Sequence, residues 1–313
     1  MRGDEWVARY CTLRVVIESA PDSSVQIADR RPALRVLLLS AICYLLSASA
    51  FAAYSSKDLF LPIFGRAAGG DGRRYDTAFT LTNPSSNAAD VKLSFLAAGQ
   101  PNPTPHATML HLAANETRHF DSVGADLLGA PAAFGAMRIE ANVPLLAHAR
   151  LFSTLPGDPL ARSVASSFNA IPAQFAAGTG DSAIVQGLEQ SPDFRYKVYV
   201  VETTGQPLTF ALALLDAHGR VIATRHEYVS GYEQRSWDIG APGAMLLRVS
   251  GMNGNGRVIV AGAQIATGSQ DGTAYEMSFA TAPRWRLPAG EVAAYVVAGA
   301  ALIIAIIFGR RSS

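Results

Sequence analysis

Between residues 57 and 283 the chain is written in short runs that alternate apolar and polar residues, each closed by turn formers. Thr77-Ala78-Phe79-Thr80-Leu81-Thr82 and Asp90-Val91-Lys92-Leu93-Ser94-Phe95-Leu96 flank the cluster Asn83-Pro84-Ser85-Ser86-Asn87. Side chains on a strand point alternately to opposite faces, so each run offers one apolar face to a core, and the Asn/Pro/Ser cluster turns the chain between them. Lys197-Val198-Tyr199-Val200-Val201, Leu208-Thr209-Phe210-Ala211-Leu212-Ala213-Leu214-Leu215 and Gly256-Arg257-Val258-Ile259-Val260-Ala261 have the same texture. Strands this short, with turn signals about every 8 to 12 residues and no long amphipathic helix between them, predict an all-β fold of the sandwich type.

The strand region also repeats. Arg74-Tyr75 corresponds to Arg195-Tyr196, Glu116-Thr117-Arg118-His119-Phe120-Asp121 to Glu233-Gln234-Arg235-Ser236-Trp237-Asp238, and Ala136-Met137 to Ala244-Met245. Ala149-Arg150-Leu151-Phe152-Ser153 then corresponds to Ala263-Gln264-Ile265-Ala266-Thr267. Matches that keep their order predict two tandem β-sandwiches, residues 57–172 and 182–283, joined by a Gly- and Ala-rich linker at 173–181.

One resemblance rests on particular residues. Leu61-Pro62-Ile63-Phe64-Gly65-Arg66, the loop Gly69-Gly70-Asp71-Gly72, then Thr77 and Leu81-Thr82-Asn83-Pro84-Ser85-Ser86 resemble the opening of a family of bacterial secreted tandem β-sandwich proteins of immunoglobulin or fibronectin type. The second unit departs from it, with Glu202-Thr203-Thr204-Gly205 in place of the Asn-Pro turn. The resemblance implies an immunoglobulin-like fold and carries no active site with it.

Hydrophobic segments bracket the strands. Arg30, Arg31 and Arg35 precede Val36-Leu37-Leu38-Leu39-Ser40-Ala41-Ile42-Cys43-Tyr44-Leu45-Leu46, and the small-residue run Ser47-Ala48-Ser49-Ala50-Phe51-Ala52-Ala53 follows. This basic, apolar, small-residue order predicts a signal peptide over 30–52, cleaved after Ala52 or after Ala50. The competing reading is an uncleaved signal anchor, because the uncharged run extends through Ser56. Residues 1–29 then form an extension, consistent with a start at a downstream codon such as Val25. At the other end, residues 284–291 lead into an uncharged stretch at 292–309, followed by Arg310-Arg311 and a short tail to Ser313. Eighteen helical residues reach about 27 Å, close to a bilayer's hydrocarbon core, and predict one membrane-spanning helix. The tail resembles bacterial carboxy-terminal sorting signals such as the PEP-CTERM type. Leu287-Pro288-Ala289-Gly290-Glu291 lacks the Pro-Glu-Pro core, which favours a simple single-pass anchor.

Cys11 and Cys43 are the two cysteines, and both precede the expected mature start, so the strand region must be held by its core rather than by disulfides. Cys43 reads as part of the signal core and not as a lipidation site, since Ile42 stands where a small residue would be needed. Of the 26 Lys and Arg and 25 Asp and Glu, six basic and five acidic residues lie in positions 1–52. What is left is balanced, and gives no case for nucleic acid, which requires clustered positive charge.

No catalytic, cofactor or metal motif stands out. His106, His111, His119, His148, His218 and His226 are scattered without metal-ligand spacing. Gly251-Met252-Asn253-Gly254-Asn255-Gly256 falls between strands, where a turn is expected rather than a phosphate loop. Asn115-Glu116-Thr117 has the form of a glycosylation sequon, an accidental one in a bacterial envelope protein. In the repeated Glu-x-Arg-x-aromatic-Asp element, Glu116, Arg118 and Phe120 should share one strand face and Asp121 the other, which suits a turn at Asn115 or Gly231 leading into a strand better than paired acid-base carboxylates. Tyr228, Tyr232 and Trp237 are the candidate ligand-surface residues, able to stack on a sugar if exposed. These readings predict a non-enzymatic, membrane-anchored envelope protein displaying its β domains outside the cytoplasmic membrane for adhesion, assembly or recognition of an envelope protein or glycan. A carbohydrate-binding module and an enzyme with an interdomain site are the alternatives. Amino-terminal sequencing of the membrane-fraction protein should give a start within about three residues of Ala53; a retained Met1 would exclude cleavage.

Overall fold

A computed structural model describes residues 55–69, 72–159 and 162–279. The extension, the signal segment, residues 284–291, the helix expected at 292–309 and the tail lie outside these residues. Among those described, no helix is long and apolar enough to cross a membrane. The fold is all-β and antiparallel, and among the described residues helical structure is confined to short turns such as Ala125–Leu128 and Ala173–Phe175.

The first eight strands are β1 (Ser56–Ala68), β2 (Arg74–Thr82), β3 (Ala89–Ala97), β4 (His106–Leu112), β5 (Thr117–Phe120), β6 (Ala133–Thr154), β7 (Val164–Asn169) and β8 (Ile171–Pro172). One layer runs β4-β3-β6-β1, with β8 beside β1, and the other β5-β2-β6-β7. The 22-residue β6 serves both: its start pairs with β3 and its end with β2, the change falling at Asn142-Val143-Pro144. Between the layers sit Phe79, Leu81, Leu93, Met137 and Ile139.

The remaining strands are β9 (Ala183–Val185), β10 (Phe194–Glu202), β11 (Leu208–Leu215), β12 (Val221–Val229), β13 (Gln234–Asp238), β14 (Leu246–Gly254), β15 (Val258–Ala266), β16 (Gly272–Glu276) and β17 (Ser278–Phe279). They form one sheet ordered β12-β11-β14-β9-β17 and a second ordered β13-β10-β15-β16, around Val198, Val200, Phe210, Leu212 and Val249. The pairing order repeats that of the first half. β4-β3-β6 has its counterpart in β12-β11-β14, and β5-β2-β6-β7 in β13-β10-β15-β16. Where β6 runs on, the second half is broken at Asn255-Gly256-Arg257.

The pairings correct the register of three sequence matches. Phe120 opposes Phe79 and Trp237 opposes Val198, so Tyr75 answers to Phe194 and not to Tyr196. Ala149 answers to Gly262, since each opposes one of those residues, whereas Ala263 faces the other side of its sheet. Met245 lies ahead of β14 and is 55% exposed, while buried Met137 answers to buried Leu247, each opposite the apolar residue Phe95 or Leu214. Identical letters misled because strand equivalence is set by face, and a one-residue slip inverts every side chain. The Glu-x-Arg-x-aromatic-Asp match keeps its register.

Strands β1, β10 and β15 are apolar on both faces, the pattern of a sheet covered on two sides. On β10, Tyr196, Val198 and Val200 point into their own core, while Tyr199 and Val201 meet the first half. On β1, Leu59, Leu61 and Phe64 face inward, and Phe60 and Ile63 meet Val201, Ile259, Tyr199 and Ala261. Hydrogen bonds to backbone carbonyls join the same seam: the Gly99 N–H donates to Gln234 at 2.8 Å, and the Asn102 side-chain Nδ2 to Tyr232 at 2.9 Å. Arg138 bridges it too, making a two-pronged pair with Asp58 at 2.9 and 3.0 Å while its guanidinium lies 5.3 Å from the Tyr232 ring centre. The stretch 173–181 is itself packed down, with Ala176 and Ala177 fully buried and Ala177 exchanging two backbone hydrogen bonds with Val258. All described residues belong to one compact unit.

The turn after β2 and the turn after β10 are closed by buried polar side chains at matching positions. Asn83 Nδ2 donates to the carbonyls of Asn87 and Ala113, and its Oδ1 accepts from Ser85. Glu202, fully buried, accepts backbone N–H bonds from Thr204, Gly205, Tyr232 and Arg257. Four backbone donors around one carboxylate would be left mismatched by an amide, so Glu202→Gln should lower unfolding free energy by about 3 kcal/mol. A urea midpoint equal to wild type would show that the carboxylate does not hold the turn.

Candidate functional site

The repeated Glu-x-Arg-x-aromatic-Asp element is the first candidate, and its carboxylates turn back on the backbone. Glu116 Oε2 accepts from the Ala113 N–H at 2.6 Å and Oε1 from Arg118 Nη2 at 2.7 Å. Glu233 Oε2 accepts from the Ser230 N–H at 2.8 Å, with Arg235 Nε 3.4 Å from Oε1. Each Glu therefore bridges the turn that precedes it, and the Arg two residues on holds the Glu. The Ala113 N–H, followed by the Arg118 side chain, keeps the Glu116 carboxyl below the ordinary carboxylate range. Its contribution is complete above the unfolded-state pKa and is lost as pH falls through the lowered one. The turn residue with positive φ is Asn115 (58°) in one copy and Tyr232 (54°) in the other, where Gly231 was the residue expected.

Tyr228, Tyr232 and Trp237 do not form a row. Tyr228 is exposed on β12, in one sheet of the second half. Trp237 is on β13, in the other sheet; it is partly buried, meets Phe210 edge-on at 6.4 Å, and carries Arg225 and Arg235 over its ring at 5.6 and 5.4 Å. Tyr232 belongs to the seam, where its hydroxyl lies 3.2 Å from Arg138 Nη1. Phe120, the counterpart of Trp237, is partly buried and stacked on Phe79 at 5.6 Å.

Two constellations went unnoticed in the sequence. Thr80 Oγ1 lies 2.8 Å from His119 Nδ1, and His119 Nε2 lies 3.1 Å from Asp121 Oδ1. The hydroxyl, imidazole and carboxylate are in the order of a nucleophilic triad. Yet the Asp121 side chain is 88% exposed on an open sheet face, whereas such chemistry needs a buried orienting carboxylate and an oxyanion site. Among the described residues no three His, Cys, Asp or Glu side chains are grouped to hold a metal.

The second constellation is a cleft of about 310 Å³ where β2, β6 and β7 face β10 and β15. Arg195, Lys197 and Tyr199 line it from one face of β10, and Phe134, Leu151, Phe168 and Ile265 give it apolar walls. Arg195 is engaged, donating to Asp238 Oδ1 and to Gln270 Oε1, each at 3.1 Å. Lys197 is looser, its nearest carboxylate oxygen being that of Asp238 at 4.0 Å. Tyr199 is 4% exposed, its ring edge-on to Phe168, and its hydroxyl has no hydrogen-bond partner among the described residues. Burial drives the Tyr199 pKa well above the ordinary tyrosine value, with Arg195 opposing the shift, so the phenol stays a donor. The signal was present in the sequence: Arg195-x-Lys197-x-Tyr199 puts three hydrogen-bonding groups at period two on a strand otherwise apolar on both sides.

No family model, curated protein or solved structure matches the chain.

Because Trp237 is packed against the edge of its core rather than enclosed by it, Trp237→Ala should cost less than the roughly 3 to 5 kcal/mol of a fully buried ring, at about 2 kcal/mol. Denaturant unfolding followed by far-UV circular dichroism reads this directly. An unmoved midpoint would mean that the indole is a free surface group, available to stack on a sugar.

Proposed function

We propose that this chain is an exported, membrane-anchored envelope protein that displays a duplicated pair of immunoglobulin-like β-sandwiches outside the cytoplasmic membrane, acting without catalysis in adhesion, assembly or recognition of a surface component. The family resemblance at residues 61–86 and the terminal segments at 30–52 and 292–309 give the address. The observation that carries the display role is the shared pairing order of the two halves, fused along a covered apolar face. Such a body holds its outer strands in a fixed arrangement, which suits presentation more than turnover. The charged groups support the same reading. The Glu116 and Glu233 carboxylates are spent on turns, and Arg138 on the seam.

The carbohydrate-binding alternative would require Trp237 to exchange its two guanidinium neighbours for a sugar ring. An enzymatic reading would require a base beside Ser153 or Ser166 in the cleft, whose described lining contains no histidine or carboxylate.

Protease treatment of intact spheroplasts carrying an epitope after Ser313 tests the display role. The reading predicts loss of the β region with a small epitope-bearing fragment protected inside. Recovery of the full chain in the cytoplasmic soluble fraction, or an epitope cut from outside, would overturn it.

A further inference from the structure

We propose that the cleft between the two halves binds a small organic anion with an apolar body, of the class of arylalkyl or branched aliphatic monocarboxylates. The inference goes beyond the display role and does not depend on it. It starts from an imbalance of donors and acceptors. Arg195 and Lys197 line the cleft with no carboxylate in its described lining; Asp238, outside it, is taken by Arg195 at 3.1 Å and lies 4.0 Å from Lys197. Tyr199 adds a hydroxyl that stays protonated and has no partner among the described residues, on a side chain 4% exposed. As a lining residue of the cleft, Tyr199 can donate its hydroxyl proton to an acceptor arriving from outside.

The placement of these groups selects the ligand. Lys197 and Tyr199 are two residues apart on one strand, so their side chains leave the same face about 7 Å apart at the backbone. The two oxygens of one carboxylate can accept from the ammonium and from the phenol together, and charge-assisted bonds of this kind are the stronger ones. The opposite wall, with Phe134, Leu151 and Phe168, and Ile265 beside Arg195 on the near side suit a hydrocarbon body. A volume of about 310 Å³ is at the small end of ligand sites, enough for one ring and a short arm and too little for an oligosaccharide.

The test uses the full chain and two probes of equal shape, phenylacetate and its uncharged amide, phenylacetamide, titrated by calorimetry and by saturation-transfer NMR. Phenylacetate should bind saturably and roughly ten times more tightly than the amide. Tyr199→Phe, which keeps the ring, and Lys197→Met, which keeps most of the stem, should each weaken phenylacetate about five- to tenfold. Both should melt like wild type, and Arg220→Met, at an exposed pair with Asp216, should leave binding unchanged. Three results would overturn the proposal: no saturable binding up to about 10 mM, at the weak end of specific affinities; equal uptake of acid and amide; or phenylacetate binding that neither cleft variant alters. None of these outcomes bears on the protease-protection result, so the cleft and the display role stand or fall separately.

Discussion

The sheet β13-β10-β15-β16 is covered on both faces: its own partner sheet takes Tyr196, Val198, Val200, Val258 and Val260, and the first half takes Tyr199, Val201, Ile259, Ala261 and Ala263. The rest of the structure depends on this double coverage. A two-layer sandwich normally keeps one face of each sheet wet and polar. Here the outer face of one sheet has become an internal layer, and β1 answers it with Phe60 and Ile63. Apolar burial at about 25 cal/mol per Å² makes such a face costly to open. The two halves therefore share one fate, and the stretch 173–181 that joins them is fastened to Val258 instead of swinging free.

Polar groups follow from that choice. Closing a seam over strands and loops buries backbone donors and acceptors, and each must find a partner. The loop after β3 supplies several, through Gly99 and Asn102, and the Arg138–Asp58 pair caps one edge under the Tyr232 ring. Fully buried Gln234 is one exception: its backbone carbonyl is satisfied by Gly99, while its Oε1 has no partner among the described residues. The cleft lies where the seam stops closing, at the far end of β10, and it is there that Lys197 and Tyr199 keep unspent donors.

Much of the fold could be read from residue order. Period-two alternation at 77–82 and 90–96 marked β2 and β3, the Asn-Pro-Ser-Ser cluster marked their turn, and the apolar runs at β1, β10 and β15 are the written form of two-sided burial. Registers were harder, because matching Ala with Ala or Met with Met ignores which face a side chain takes. Tyr232 in place of Gly231 at the positive-φ position was beyond pattern reading, since its ring rests against Gly205, where a Cβ would come within 2.8 Å of it. The cleft was hidden for a related reason. Its walls come from strands of both halves, and only the Arg195-x-Lys197-x-Tyr199 spacing hinted at it.

Native-state hydrogen exchange addresses the shared seam most directly. The slowest amides of the first core, around Phe79 and Leu93, and those of the second, around Val198 and Val249, should open with the same free energy. Phe60→Ala, which empties the seam without touching either inner core, should lower both sets together. If the first set opened at a distinctly lower free energy than the second, and Phe60→Ala moved only one of them, the halves would be independent modules and the account of a single fused body would be wrong.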